Sequence, residues 1–364
     1  MLRLVSSLIL ATSLAAQNPI NLSPWSAESY QAVSGFPNGS WTPANGGLSV
    51  TQSNNGQPTL FYSDFDLYNL RIEGQITVTG SDDDFAGFAL GFRPQDTTNL
   101  NADYLLLDWK RATQTSNFGA PSCTGGSTAQ RGLALSRVQG LPAADEFWGH
   151  VDLNAAPCST PNDRVTELQR GATLGTVGWV RNQTYTFRID YTPNRVVVHV
   201  DGVLQIDVSG TFANGRIAFY NFSQAGVVYN AFTSDCIASW SNYGAGFPGT
   251  AGVPVLGASA APTLGSLFQL EMTSAAPQQQ IAILAFGWQP INVPTQLGGS
   301  LLVNAVTTEF LLVPIAPTKA LRPFSVPANA AFCGALLYAQ FVHFDAGAAQ
   351  GIAFSPGLAL AMGN

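Results

Sequence analysis

The chain has 364 residues, of which 46% are hydrophobic and only 10% are charged, and it contains 36 Gly and 22 Pro. This composition is typical of an all-β protein with many turns and disfavours a bundle of charged surface helices. The net charge of −7 argues against binding to a nucleic-acid backbone, which requires a basic face.

The first segment, residues 1–16, has the pattern of a secretory signal peptide. Arg3 is followed by an apolar run over residues 4–14, and small residues end the segment at Ala16. No later run of the sequence is long and apolar enough to span a bilayer. We therefore expect a secreted protein without a membrane span, located outside the cell or at the cell surface.

Regular strand patterns begin near residue 59 and continue to about residue 232. Apolar and polar side chains alternate over residues 70–79 and 185–191, which marks half-buried strands. Residues 85–92 are apolar on both faces, as in a central strand, and Asp201-Gly202 predicts a two-residue hairpin turn. Short strands joined by tight turns predict a concanavalin-like jelly-roll sandwich over residues 17–242.

The remainder of the chain changes character. Residues 243–252 are rich in glycine and are predicted to form a linker. Residues 253–364 carry only five charged side chains, and Pro and Gly separate several short apolar runs. We expect a second, smaller β-sandwich there.

Four cysteines are present, and their spacing matches no zinc pattern. Cys123 and Cys158 are predicted to form a disulfide that closes a loop in the first domain. Cys236 and Cys333 fall in different predicted domains. The sequence leaves open whether these two pair or stay free.

Three adjacent acids, Asp82, Asp83 and Asp84, stand directly before the predicted central strand. Adjacent carboxylates repel one another and favour either solvent or a cation, and calcium takes several oxygen ligands. The residues alone leave a calcium site and a solvated acidic turn both open. Asp64 and Asp66 are further candidates for the same rim of the sheet.

Candidate ligand-binding side chains are Trp148 and His150, which lie in a long insertion over residues 140–173. Trp109 and Trp179 are predicted for the core. Jelly-roll glycosidases need two carboxylates that face one cleft. The nearest pair on one predicted strand, Asp103 and Asp108, is five residues apart and therefore points to opposite faces. We expect no catalytic activity.

Three clusters occur in a recognisable order: residues 82–92, residues 104–110 with Thr113-Gln114, and residues 215–224 leading to Asp235-Cys236. In these clusters the chain resembles the C-terminal, lectin-like domain of thrombospondins over about residues 20–240. The resemblance implies a concanavalin-like fold, an extracellular location, calcium at the rim near residues 82–84, and roles in adhesion or matrix contact. The C-terminal region resembles small β modules that end some secreted bacterial proteins.

The leading hypothesis is a secreted, non-catalytic, calcium-binding adhesion or recognition protein. Its expected partners are carbohydrate or an extracellular or surface protein, and nucleic acid is not among them. One alternative is a secreted glycan-active hydrolase or its carbohydrate-binding subunit. Another is a structural protein of the cell envelope.

Overall fold

The computed structural model describes residues 18–119, 125–150, 164–274, 276, 280–313 and 319–364. The predicted signal peptide and the predicted Cys123–Cys158 disulfide lie outside the described residues. Within the described ranges, no helix is long and apolar enough to cross a membrane.

Among its described residues, the first part of the chain forms seventeen strands and one short helix, α1 (Ala144–Trp148). A single 3-10 turn, Asn45–Gly47, precedes the fourth strand. The strands are β1 (Asn18–Pro19), β2 (Ser26–Ser29), β3 (Trp41–Ala44), β4 (Ser49–Gln52), β5 (Thr59–Asp66), β6 (Leu70–Val78), β7 (Phe85–Phe92), β8 (Asp103–Lys110), β9 (Gln114–Ser116), β10 (Ser127–Ala129), β11 (Gly132–Gln139), β12 (Val165–Arg170), β13 (Thr184–Thr192), β14 (Arg195–Val200), β15 (Val203–Ser209), β16 (Arg216–Phe222) and β17 (Val227–Cys236).

Two large antiparallel sheets are built from these strands and face each other. One sheet has the order β15-β14-β13-β6-β17-β4-β3, with β1 also paired to β17, and the other has the order β12-β11-β8-β7-β16-β5-β2. Their inner faces share one core, to which Phe88 and Leu107 contribute from one sheet and Phe187 and Tyr229 from the other. The predicted all-β sandwich is therefore confirmed.

A second core covers the outer face of the seven-stranded sheet, the one that contains β7 and β8. Phe85, Tyr220 and Phe222 project outward from the sheet and pack against Phe147 and Trp148 of α1. The β9–β10 hairpin lies beside α1. This hairpin therefore helps α1 to cover the outer face of the sheet.

Where the structure describes it, the second part of the chain forms eleven strands and a 3-10 turn, Ala330–Phe332. The strands are β18 (Ser239–Tyr243), β19 (Val255–Ala258), β20 (Leu267–Thr273), β21 (Gln280–Gly287), β22 (Pro290–Pro294), β23 (Ser300–Val303), β24 (Thr307–Val313), β25 (Lys319–Ser325), β26 (Leu336–Phe344), β27 (Ile352–Phe354) and β28 (Gly357–Ala361).

These strands form the predicted smaller sandwich. A six-stranded sheet of order β18-β28-β26-β21-β24, with β27 paired to β26, packs against the three-stranded sheet β19-β20-β25. Leu270 and Met272 from the smaller sheet meet Leu284, Phe341 and Leu360 from the larger one in a separate core. The fold class predicted for this region is confirmed.

The predicted linker has local contacts with the second sandwich. Phe247 pairs with Phe354 through two backbone hydrogen bonds of 2.8 and 3.0 Å. The backbone and hydroxyl of Thr250 both donate to the carboxylate of Asp345, each at 2.6 Å. The domain boundary at residues 243–252 stays a prediction, but these contacts show that its residues are held in place.

A disulfide bond links the two parts of the chain. Cys236, the last residue of β17, forms a disulfide with Cys333, which follows the second 3-10 turn. The C-terminal Asn364 reinforces this junction, since its backbone N–H donates to Cys236 O at 3.1 Å and its side chain donates to Asp235 Oδ1 at 2.9 Å. The pairing that the sequence left open is thus present.

Candidate functional site

The acidic turn, Asp82 to Asp84, leads into β7 at one end of the seven-stranded sheet. One carboxylate oxygen from each residue lies within 4.8 Å of the others. The Asp84 backbone N–H donates to Gln224 Oε1 at 2.9 Å, and the Asp84 carbonyl accepts the indole N–H of Trp179 at 3.1 Å. Both contacts fix the place where the turn becomes a strand. The role of the three acids as metal ligands stays a prediction.

A lysine that the sequence analysis did not single out lies at the centre of this turn. Lys110, the last residue of β8, is 0% exposed, and its ammonium donates to the side chain of Asp84 and to the Asp83 carbonyl at 3.0 Å. It also donates to Gln114 Oε1 at 2.9 Å and lies 4.7 Å from the ring centre of Trp148. The inner side of the acidic turn is therefore already neutralised by a buried cation.

The three acids differ in their surroundings. Burial raises the pKa of Asp84 to about 6, and Lys110 opposes that rise. Asp82 accepts hydrogen bonds from Asn55 and from the Asp83 backbone, and the Asp83 side chain is 35% exposed. Lys110 therefore pairs with Asp84 and, at 3.3 Å, with Asp83 Oδ1, and Asp82 and Asp83 are the two partly exposed acids of the turn.

Asp64 and Asp66 do not reach this rim. Asp66 pairs with Arg216 at the start of β16, whereas Phe85 pairs with Phe222 at its end. The two ends of β16 lie at opposite ends of the sheet along the strand direction. The prediction that Asp64 and Asp66 join the acidic turn is therefore wrong.

Trp148, the last residue of α1, and His150 lie on the other side of Lys110, against the outer face of the seven-stranded sheet. Trp148 is 3% exposed and His150 is 8% exposed, and both rings contact Phe85. Because both rings are buried, neither offers the open stacking surface that a sugar would need in this conformation. Their role in ligand binding stays a prediction.

His150 belongs instead to a buried charge cluster with Asp108, Glu167 and Arg170. Its Nε2 is 3.2 Å from Asp108 Oδ2 and its Nδ1 is 3.7 Å from Glu167 Oε1. Arg170 donates to Glu167 Oε1 at 2.7 Å. Burial opposes the charged imidazolium, but Asp108 and Glu167 outweigh it and raise the pKa of His150 to about 10. Two acids and two bases therefore balance within one buried site.

Because of this cluster, we expect the free energy of unfolding to fall at alkaline pH. A group whose pKa is raised by folding contributes stability below its unfolded pKa of about 6.5 and loses that contribution as the pH rises through its folded pKa. The free energy of unfolding is therefore expected to fall between pH 7 and a pH of about 10. Urea unfolding across this range should show a flatter profile for His150→Gln, and parallel profiles would contradict the assignment.

The covered outer face also bears on glycan hydrolysis. Asp108 and Glu167, the carboxylates that come together beneath this covering, are 1% and 4% exposed. Glycosidases place two carboxylates on either side of a substrate in an open cleft. Within the described residues, this face offers buried acids already paired with His150 and Arg170 rather than such a cleft.

The sequence profile described as "Thrombospondin C-terminal region" matches residues 37–238, which include the acidic turn, β7, β8 and β16. The chain belongs to the thrombospondin C-terminal region family. Similar proteins include Thrombospondin-4-B of Danio rerio, 26% identical over 222 residues that cover 57% of this chain and 22% of that protein. Thrombospondin-3 of Homo sapiens is 26% identical over 240 residues, covering 60% of this chain and 24% of that protein.

The chain thus spans less than a quarter of the length of these curated relatives.

Solved structures similar to the chain include a carbohydrate-binding module, CBM66 from Bacillus subtilis, at 13% identity and a TM-score of 0.35, covering 54% of this chain and 91% of that chain. Alginate lyase AlyC3 has 10% identity and a TM-score of 0.35, covering 60% and 91%. The predicted family resemblance is confirmed by the matched region.

Proposed function

We propose that this protein is a non-catalytic, calcium-binding recognition protein of the extracellular space, with carbohydrate or a surface protein as its partner. The acidic turn supports the proposal most directly. It lies inside the region matched by the thrombospondin family, whose resemblance implies calcium at this rim. Asp82 and Asp83 are partly exposed, whereas Asp84 is buried against Lys110, whose ammonium also lies 3.3 Å from Asp83 Oδ1.

The arrangement of charges fits calcium on the solvent side of the turn. Three carboxylates and one ammonium leave the turn with a net charge of about −2 if all are ionised. Asp82 and Asp83 would hold the ion, with backbone carbonyls and water completing a shell of oxygen ligands. Asp84 would act as a positioning residue, because Lys110 and the contacts with Gln224 and Trp179 fix it at the strand end.

A non-catalytic role agrees with the burial of Asp108 and Glu167 and with the family to which the chain belongs. Incubation with a panel of polysaccharides should therefore release no reducing sugar. Turnover that disappears on replacing a carboxylate would overturn this part of the proposal.

Calcium is expected to raise the melting temperature of the full chain. A ligand that binds the folded state alone stabilises it by about 2.7 kcal/mol at 100 times its Kd. The variant Asp82→Ala/Asp83→Ala should lose the shift while leaving the Lys110–Asp84 pair intact. Calorimetric titration with calcium should show heat in the wild type and none in this variant.

The matched control is Asp64→Ala, which removes an exposed acid that lies on β5, away from the acidic turn. It should respond to calcium as the wild type does. An equal loss of response in Asp64→Ala would reduce the effect to general screening of negative charge. No heat and no melting shift at millimolar calcium would contradict the calcium site itself.

A further inference from the structure

A cleft of about 570 Å³ lies between the two sandwiches, away from the acidic turn. One wall is formed by the β13–β14 turn, with Thr192, Asn194 and Arg195. The other wall is the start of the second sandwich, including Ile237 and Trp240. A volume of this size is within the range of sites for small organic ligands, about 300–1,000 Å³.

The charges that line this cleft are already paired. The Asp190 carboxylate accepts two hydrogen bonds from Arg71, each at 2.8 Å. Arg195 donates to both oxygens of Asp207 at 2.7 Å. A charged ligand would have to compete with these pairs, so the lining favours a neutral occupant.

Uncommitted polar groups stand beside an aromatic ring in the same cleft. Trp240 lines it, partly buried against the second core, and its indole N–H has no protein partner among the described residues. The side chain of Asn194 accepts from Thr192 at 3.0 Å, which leaves its amide N–H groups free to donate. A flat apolar ring next to several donors complements a sugar, which has an apolar face and a hydroxylated edge.

The walls of the cleft are held together by contacts at the junction. The Cys236–Cys333 disulfide immediately precedes Ile237. The Ile237 N–H donates to Asn69 O at 2.7 Å, and the Ser239 hydroxyl donates to the Asn69 side chain at 2.6 Å. These contacts fix the start of the second sandwich to Asn69, the residue before β6, so the cleft exists before a ligand arrives. Preformed sites bind with less loss of conformational entropy.

We propose that this cleft between the sandwiches binds a neutral oligosaccharide, with Trp240 as the stacking platform and Asn194 as a hydrogen-bonding group. The proposal rests on the recognition role proposed above and names its ligand class and site. A peptide is the less favoured occupant, because the cleft does not offer a continuous apolar groove.

The test is calorimetric titration of the full chain with β-1,4- and β-1,3-linked glucohexaose, xylohexaose and mannohexaose, with calcium and with chelator. At least one hexasaccharide should bind. Trp240→Ala should weaken that binding by about tenfold or more, because a buried aromatic anchor carries much of a binding energy. Trp240→Phe should retain most of it, since the ring remains, and Asn194→Ala should weaken it several-fold.

The matched control is Trp288→Ala, which removes a half-exposed indole at a different cleft of the second sandwich. It should bind the hexasaccharide as the wild type does. Trp240 also packs against the second core, so the melting temperature of each variant is measured alongside. Wild-type affinity in a folded Trp240→Ala or Asn194→Ala variant would overturn the assignment of the cleft.

Absence of binding to all four hexasaccharides at millimolar concentration would overturn the ligand class. The calcium response at Asp82 and Asp83 is read from the same samples. A normal calcium response without sugar binding removes only the present inference. Sugar binding without a calcium response would instead remove the calcium part of the proposed function.

Discussion

The variant Lys110→Met is expected to lower the free energy of unfolding by about 3–5 kcal/mol, because it removes one partner of a buried ion pair. The Asp84 side chain is 4% exposed and would keep its charge without a counterion or would have to bind a proton. The Asp83 carbonyl and Gln114 would also lose their donor. Urea unfolding followed by tryptophan fluorescence measures the change.

The matched control for Lys110 is Arg195→Met. Arg195 pairs with Asp207 at 2.7 Å, but its side chain is 56% exposed. Exposed pairs contribute about 0–1 kcal/mol, so this variant should unfold nearly as the wild type does. In the double variant Lys110→Met/Asp84→Asn, part of the lost stability should return, because no charge is left unpaired. Equal effects of Lys110→Met and Arg195→Met would show that Lys110 is not a buried counterion.

Loss of the disulfide is the second large effect. The variant Cys236→Ser/Cys333→Ser should lower the free energy of unfolding by about 2–5 kcal/mol. The bond joins cysteines separated by 97 residues, and breaking it enlarges the conformational freedom of the unfolded chain. Differential scanning calorimetry in the absence of reductant measures the change without disturbing other cysteines.

The outcome distinguishes a junction held by the covalent bond from one held by packing alone. The contacts of Asn364 with Cys236 and Asp235 remain in the double variant, as do those of Asn69 with Ile237 and Ser239. Because these contacts still hold the folded junction, the expected loss of stability comes from the greater conformational freedom of the unfolded chain. An unchanged profile would therefore contradict the stabilising role assigned to the disulfide.

The strands were predictable where local patterns determine them. Alternating residues predict β6 and β13, and the Asp201-Gly202 turn has the expected positive φ of 49° and 78°. In the central strand β7, Gly87 lies against the backbone of the neighbouring strand. A Cβ on Gly87 would lie 2.0 Å from the Leu107 carbonyl oxygen of β8.

The candidate site was only half predictable. The three adjacent acids are visible in the sequence, but Lys110 reads as a solvent-facing charge at a strand end. Its burial comes from Gln114 and Trp148, which belong to the segment that folds back over the outer face of the sheet. Period-two alternation describes one strand and carries no information about a distant covering segment. One available signal was the spacing of Asp108 and Lys110, which places both on the same face of β8.

The same limit applies to His150. Its neighbours in space, Asp108 on β8 and Glu167 on β12, are far from it along the chain. The strand order β12-β11-β8 places the two acids two strands apart, with Glu167 opposite Ser136 of β11 and Asp108 opposite Ala134 of the same strand. Sequence reasoning could list these residues as candidates but could not place them together without the sheet order.

Anomalous diffraction from crystals of the full chain grown with calcium tests the central claim most directly. The account predicts an ion on the solvent side of the acidic turn, with oxygens of Asp82 and Asp83 at about 2.3–2.6 Å. Lys110 should remain bound to Asp84. An ion that displaces Lys110, or an acidic turn without an ion at millimolar calcium, would contradict the account.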